Sequence, residues 1–324
     1  MKSFWVYIIF LFLFACQAED KVKTLKFAHG LDQSHPVHKG LLHMKSSLEK
    51  ASEGKMTIEI YANQQLGAER ECLELLQIGS IDMTKVSAAV IENFIPEFKV
   101  LGIPYLFDSR KHMFSVLDGE IGQELLAIGE PLRLKGMGFY DAGSRSFYST
   151  EAPISAPSSL DGKKIRTMES PMAMEMISTM GGAATPISYG ELYTALQTNM
   201  VDGAENNPTS FFSSKHYEIC KYYVLDEHTS IPDVLFIGTS SWNKLSDQEK
   251  QWLTTAVNES VEFQRNLWLS NDQEALEKLK ENGVEVIEPD KSQFQEAVSS
   301  MTDKYMEDDR MGAIVKKIKL KKEN

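Results

Sequence analysis

The chain is poor in the residues that many chemistries require. Its 324 residues include three cysteines, Cys16, Cys72 and Cys220, too few for a disulfide-built scaffold. A pairing of Cys72 with Cys220 cannot be read without geometry, and two buried thiols is the simpler expectation. Positive charge is in the minority, with 34 Lys plus Arg against 46 Asp plus Glu and a net charge of −12. Such a surface repels phosphate backbones and excludes nucleic acid as a partner. After residue 15 no apolar stretch reaches the ~20 residues that a spanning helix needs. Phosphate loops, the His-Glu-x-x-His metal motif and the Gly-x-Ser-x-Gly nucleophile elbow are missing. Gly136-Met137-Gly138 opens a dinucleotide-like pattern without its third glycine. His35 and His38 lie three apart near a helix start, but no cysteine or close carboxylate completes a metal site, so they read as surface or capping histidines. The sequence therefore points to no catalytic residue, metal or cofactor. A secreted enzyme with a dispersed Ser, His and Asp triad remains the alternative of a different class.

What is present begins with an export leader. Met1-Lys2-Ser3 is a short positive start and Phe4 to Ala15 an unbroken apolar run, too short to span a membrane. Residues 1–15 read as a signal peptide. Leu13-Phe14-Ala15-Cys16 resembles a bacterial lipoprotein cleavage box, which would make Cys16 the acylated first residue of a periplasmic, lipid-tethered protein. Cleavage after Ala18 is the alternative, because Cys16-Gln17-Ala18 places small residues at both recognition positions.

The remainder has ordinary globular composition, 42% hydrophobic and 25% charged, and a length that suits two domains. Strand-like and helix-like segments alternate: strand 24–28, helix 36–53 begun by Pro36 and ended by Gly54, strand 55–62, helix 69–78 closed by Gly79, strand 81–86. This predicts an α/β fold with largely parallel sheets, whose ligands bind at the carboxyl ends of the strands. Residues 71–82 align with 191–202 at a constant offset of 120, with Glu, Leu, Gln and Asp coinciding. The repeat suggests two related lobes, and its register sets Val86 and Ser87 against Asn206 and Asn207. A second lobe would start near Gly143 and include the strand 163–168 and the helix 171–180, and the chain would recross near Pro232. Ser246 to Asn282 lacks Gly and Pro and opens on Ser246-Asp247-Gln248-Glu249, which has capping-box spacing. It reads either as two helices kinked near Asn271 or as one helix across both lobes. The expected division is lobe I at 22–142 plus 232–272, and lobe II at 143–231 plus 273–324. Gly283 closes that segment before the strand 284–287, and the lysine-rich run 316–322 reads as a solvated helix end.

Two arginines stand out. Arg166 follows Ile165 on a strand among apolar neighbours, and Arg145 sits in Ala142-Gly143-Ser144-Arg145-Ser146-Phe147, where the backbone can cross between lobes. A guanidinium fork matches the two oxygens of a carboxylate; an internal salt bridge is the competing role for each. Asn206 and Asn207 directly follow a strand, and their amides both donate and accept, although Asn before Pro also forms turns. Tyr189 can lay its ring on a sugar face or fill the core. Lys85 would add a third cation if it points into the cleft.

These residues sit in Gln65-Leu66-Gly67-Ala68-Glu69-Arg70, Leu101-Gly102-Ile103-Pro104-Tyr105-Leu106-Phe107, Gly162-Lys163-Lys164-Ile165-Arg166, Glu191-Leu192-Tyr193-Thr194-Ala195-Leu196-Gln197 and Val201-Asp202-Gly203-Ala204-Glu205-Asn206-Asn207-Pro208. In order, and over about residues 24–310, they resemble the solute-binding proteins of tripartite ATP-independent periplasmic (TRAP) transporters. The resemblance implies a two-lobed periplasmic binding protein fold, with a ligand cleft between the lobes and a long helix spanning both. It also implies a non-catalytic role, delivering a carboxylate-bearing solute to the small and large membrane permease subunits. Arg166 would pair with the carboxylate, Arg145 would support it, and the cleft asparagine maps to Asn207, with Asn206 as an extra residue. His29, the stretch Asp32 to His38, Lys85 to Ala89 and the double Asn resemble a sugar-acid subgroup that binds uronates such as glucuronate or galacturonate. Glu69, Lys85, Ser87 and Tyr189 would then read hydroxyls and ring face, with His29 as a further substrate-binding residue. Ser87 stands where the sialic-acid branch has Glu. Glu169 stands where relatives often have Asn, which leaves the particular sugar acid open; a C4-dicarboxylate or keto acid is the alternative ligand, and a secreted lyase or hydrolase acting on uronates is the alternative of a different class.

Overall fold

A computed structural model describes residues 22–321; the leader with Cys16, and the last three residues, lie outside the described residues. Eleven strands are described: β1 (Lys23–Ala28), β2 (Met56–Tyr61), β3 (Met83–Ser87), β4 (Leu134–Tyr140), β5 (Arg145–Ser149), β6 (Lys164–Thr167), β7 (Ala183–Pro186), β8 (Gly203–Asn206), β9 (Tyr222–Thr229), β10 (Asp233–Gly238) and β11 (Glu285–Ile287). They form two sheets, ordered β2-β1-β3-β10-β4 and β11-β9-β5-β8-β6-β7. In the first, β1 runs parallel to β2 and β3, and β10 enters antiparallel between β3 and β4. In the second, β6 runs parallel to β7 and β8, and β5 enters antiparallel between β8 and β9. Each sheet thus has a parallel trio and one antiparallel strand that arrives from the other half.

The internal repeat is structural. The helix Glu69–Ile78 leads into β3 at Met83, and the helix Leu192–Gln197 leads into β8 at Gly203, 120 residues later. Asp82 and Asp202 do the same work in the two halves. The Asp82 N–H donates to the Lys26 carbonyl (3.0 Å) and its carboxylate accepts the Lys26 N–H (2.8 Å). Asp202 brackets Lys164 identically, at 2.8 and 2.7 Å. A carboxylate that satisfies the edge of the neighbouring parallel strand explains why Asp closes both copies.

The segment with capping-box spacing is one helix, Asp247–Glu281, of 35 residues, and both halves of the Ser246/Glu249 capping box form. At 1.5 Å per residue it runs about 52 Å. The helix is unbroken through Asn271, whose side-chain amide donates to the Leu267 carbonyl (2.9 Å). The helix packs on Pro36–Ala51 and β4 of the first half and on Pro208–Ser213 and β11 of the second. Gly40 allows the close approach, since a Cβ there would lie 2.9 Å from Gln264 Cβ. Buried Gln264 clamps the chain where it leaves the first sheet, accepting the Asp141 N–H (2.9 Å) and donating to the Asp141 carbonyl (2.8 Å). The final helix, Gly312–Leu320, lies against Glu120–Ile128 of the first half, and the His112 imidazole donates to the Ile318 carbonyl (3.1 Å). No described helix is long and apolar enough to cross a membrane.

Away from the cleft the halves share one apolar cluster, in which Val100, Leu101 and Ile103 meet Met172, Met176 and Phe294. Tyr105, at a left-handed φ of 52°, ties the Leu101–Phe107 segment to β9, donating from its N–H to the His228 carbonyl (2.9 Å) and from its hydroxyl to the Asp226 carbonyl (3.0 Å). Glu92 crosses the same junction and accepts the Met172 N–H at 3.0 Å. Burial pushes its carboxyl up from 4.5 to about 7, against smaller opposing effects from Ser170, Met172 and Lys99, with Glu175 adding to the rise. The native state therefore holds this proton more tightly than the unfolded chain does. Its contribution to stability is full below pH 4.5 and is lost as the pH rises through 7. Glu92→Gln keeps the acceptor and removes the charge, so its melting temperature, relative to the unmodified protein, is expected to rise more at pH 8 than at pH 4.5. An equal change at both pH values in scanning calorimetry would refute this account.

Candidate functional site

The carboxyl ends of β3, β6 and β8 and the first residues of β5 and β10 face one another across a void of about 780 Å³, partly open to solvent. Ser87 ends β3 and precedes a short helix, Ala88–Ile91; Asn207 follows β8 and caps the helix Pro208–Ser213. The repeat register therefore brings Ser87 and Asn207 to matching positions on opposite walls.

Arg166 enters from β6 and is 1% exposed. Its Nε donates to the Ile187 carbonyl (2.8 Å), while its Nη1 is buried and, among the described residues, finds no acceptor. Burial lowers its pKa, and Tyr148 and Glu205 only partly offset this. A desolvated cation with a free donor is costly to the fold and favours an anion.

Arg145 is held differently. Its Nε and Nη2 fork onto the Glu205 carboxylate, with Nη2 2.8 Å from Oε1, and Nη1 donates to Asn206 Oδ1 at 3.0 Å. Burial alone would raise the Glu205 carboxyl, but Arg145 and His228 bring it to about 2. His228 bonds Asp226 through Nδ1 (2.7 Å) and approaches Glu205 at 3.5 Å. Burial opposes its charge, yet the two carboxylates raise it to about 9. Arg145, Glu205, His228 and Asp226 thus form a buried chain of alternating charge that sums to zero.

The two asparagines divide their work. Asn207 Oδ1 accepts the Ser210 N–H (2.6 Å) as an N-cap, and its Nδ2 donates to the Ala142 carbonyl (2.9 Å) across the crossing segment. Asn206 Oδ1 accepts from Arg145 and from the Asn207 N–H (2.9 Å). Half-buried Tyr189 sets its ring on the cleft and donates to the Ser210 carbonyl at 3.3 Å.

The facing wall carries the inverse arrangement. Lys85, on β3, donates to Glu69 (2.8 Å) and to Asp233 (3.1 Å), and Glu69 also accepts the Ser87 N–H (3.1 Å). Burial works against the Lys85 charge, but Asp233 and Glu69 raise its pKa. Lys85 and Glu205 are 120 residues apart, and Asp233 and Arg145 are the first residues of the two crossing strands. The buried ion pairs Lys85–Asp233 and Glu205–Arg145 therefore occupy equivalent places with their charges exchanged.

Residues 27–309 match the family described as bacterial extracellular solute-binding protein, family 7. A Salmonella typhimurium protein, YiiZ, is 34% identical over 91% of this chain and 94% of its own. A TRAP periplasmic solute-binding protein of Anaerococcus prevotii, solved with bound D-glucuronate, is 34% identical, with a TM-score of 0.89 over 91% of this chain and 97% of that one. Another from Xanthobacter autotrophicus, solved with bound β-D-galacturonate, is 35% identical, with a TM-score of 0.89 over 92% and 100%. The chain belongs to this family. It is the solute-binding subunit of a TRAP transporter, a periplasmic family that serves membrane permease subunits and does not catalyse reactions.

In this solute-binding protein Arg166, Arg145, Asn206, Asn207, Tyr189, Glu69, Lys85 and Ser87 all border the cleft. His29 does not border it. Its Nδ1 accepts the Leu31 N–H (3.2 Å), so its Nε2–H donates to His38 Nδ1 (2.9 Å), behind the wall. Lys85 reaches the cleft but is no free cation, because two carboxylates hold it. His35, Trp268 and Asp233 are further cleft residues that sequence reasoning missed. His35 caps its helix through Nδ1, which accepts the Val37 N–H, and its Nε2 donates to Ser210 Oγ at 3.2 Å across the cleft. The Trp268 ring lies beside His35, with centroids 5.5 Å apart and planes inclined at 57°, and its buried Nε1 finds no acceptor among the described residues. Only Asp233 had a readable signal: a lysine on an apolar strand needs a counter-charge, and Asp233 follows the expected recrossing at Pro232. Glu205→Ala should cost about 3–5 kcal/mol, because it leaves the Arg145 charge buried and unpaired. Denaturant unfolding showing a loss under about 1 kcal/mol would contradict that.

Proposed function

We propose that the protein captures a hexuronate, such as D-glucuronate or D-galacturonate, and delivers it to its permease. The observation that carries this reading is Arg166, a buried guanidinium with an unpartnered Nη1 at a cleft between two sheets. Arg166 fixes the carboxylate. Arg145 and Asn207 act as braces: one orients Asn206, the other caps the Pro208–Ser213 helix and grips Ala142. The Asn206 amide, Tyr189, Glu69, Lys85 and Ser87 read the ring and its hydroxyls. The solved relatives with bound glucuronate and galacturonate support the ligand class. The lobes divide as 22–142 plus 232–272 and 143–231 plus 273–324, supported by the change of sheet between β4 and β5 and again between β9 and β10; the helix Gly312–Leu320 lies over onto the first lobe.

Arg166→Met removes the guanidinium and keeps most of the side-chain volume. Uronate affinity is expected to fall by about 10- to 150-fold, the scale of one charge-assisted pair, while the free protein melts within a few degrees of the unmodified one. Unchanged affinity by titration calorimetry would sink the assignment. The apolar run ending in Leu13-Phe14-Ala15-Cys16 supports cleavage before Cys16 and acylation of its thiol. Expression with a clickable palmitate should label the protein, and Cys16→Ser should abolish the label; equal labelling of both would exclude the anchor.

A further inference from the structure

The two walls of the cleft carry different net charge. On the second-sheet wall the four buried groups around Arg145 cancel, which leaves Arg166 as one uncompensated positive charge. On the first-sheet wall Lys85 is shared by two carboxylates, Glu69 and Asp233. Burial, with Glu69 beside it, pushes the Asp233 carboxyl up to about 6 against the opposing pull of Lys85, so at neutral pH that wall carries one uncompensated negative charge. The nearby His29 and His35 do not offset it, since burial holds both well below their usual pKa and keeps them neutral. At the mouth Arg70 and half-buried Glu169 add one charge of each sign.

We propose that Asp233, together with Glu69, makes the first-sheet wall a barrier to a second carboxylate, so that the cleft accepts monoanionic polyhydroxy acids and rejects dicarboxylates. Carboxylate oxygens accept hydrogen bonds and cannot donate them, so they receive the hydroxyl protons of a sugar. A second ligand carboxylate has no proton to offer and meets like charge in a desolvated site. Lys85 does not offset it: its one positive charge is already shared between Glu69 and Asp233, so its third N–H can meet a hydroxyl but leaves the wall negative. The inference rests on the sugar-acid reading above for the polyhydroxy tail, and it adds Asp233 as a specificity-determining residue.

The test is titration calorimetry of the mature protein against D-glucuronate, D-galacturonate, their aldarates D-glucarate and D-galactarate, D-gluconate, succinate and malate. The unmodified protein should bind the aldarates at least about 100-fold more weakly than the uronates, the scale of like-charge juxtaposition. Asp233→Asn keeps an acceptor for Lys85 and removes one negative charge, so the uronate-to-aldarate ratio should narrow by about tenfold or more. Glu69→Gln, at a partly exposed position, should act in the same direction and carries the test if Asp233→Asn does not fold. A dicarboxylate bound within about tenfold of the uronates by the unmodified protein overturns the proposal. So does rejection that neither substitution relieves, which would mean discrimination by shape. Binding of gluconate but not of uronates, with dicarboxylates refused, would uphold the barrier and overturn the hexuronate reading alone. No binding by any member of the panel overturns both.

Discussion

An acidic protein that retains a carboxylate must first keep positive charge in its interior, and the fold is organised around that constraint. Burying a charge is tolerated only when it is paired or when something is gained by leaving it unpaired. Here nearly every cleft charge is paired: Lys85 with Asp233 and Glu69, Arg145 with Glu205, His228 with Asp226. Arg166 is the exception. Because its neighbours' charges already cancel, its own field is not consumed locally and remains directed at whatever enters the cleft.

The repeat explains how this was built. Two copies of a helix-strand-helix unit place Lys85 and Glu205 two residues before their respective helix caps, and the strand exchanged from the other half brings the counter-charge. The site's polarity therefore comes from one inverted pair on a common frame. Four passages of the described chain join the halves: the segment between β4 and β5, the segment between β9 and β10, the long helix, and the turn into the final helix, which lies on the first half. Gln264 and Asn207 fasten the first passage from opposite sides, at Asp141 and Ala142. Gly143 between them takes a φ of 62°, and a Cβ there would lie 2.8 Å from Trp268 Nε1, so glycine is required on both counts.

Local rules made much of this legible. Gly79, at a φ of 78°, ends its helix at the residue read from sequence, and the capping box starts the long helix where its spacing requires. Arg166 was visible because a charge on an apolar strand has few structural uses. Arg145 carried the same signature and does a different job, since its partner Glu205 lies 60 residues away and only the β5–β8 pairing brings them together. His29 was read as a cleft residue, but the chain turns after β1 and spends the ring on His38. His35 and Trp268 were missed for the opposite reason: their place depends on how a long helix lies across two sheets, which no local pattern encodes.

The histidines also show how the first wall stays anionic. A buried imidazole beside two carboxylates would ordinarily take up a proton, as His228 does. His29 and His35 are instead close enough to Lys85 that its charge adds to burial in keeping them neutral. Their tautomers are fixed because each Nδ1 accepts a backbone N–H, from Leu31 and Val37. The Nε2 protons consequently point outward as neutral donors, one to His38 and one to Ser210. Lys85 thereby does two things at once: it holds Glu69 and Asp233 in place as acceptors, and it keeps the nearby imidazoles from cancelling their charge.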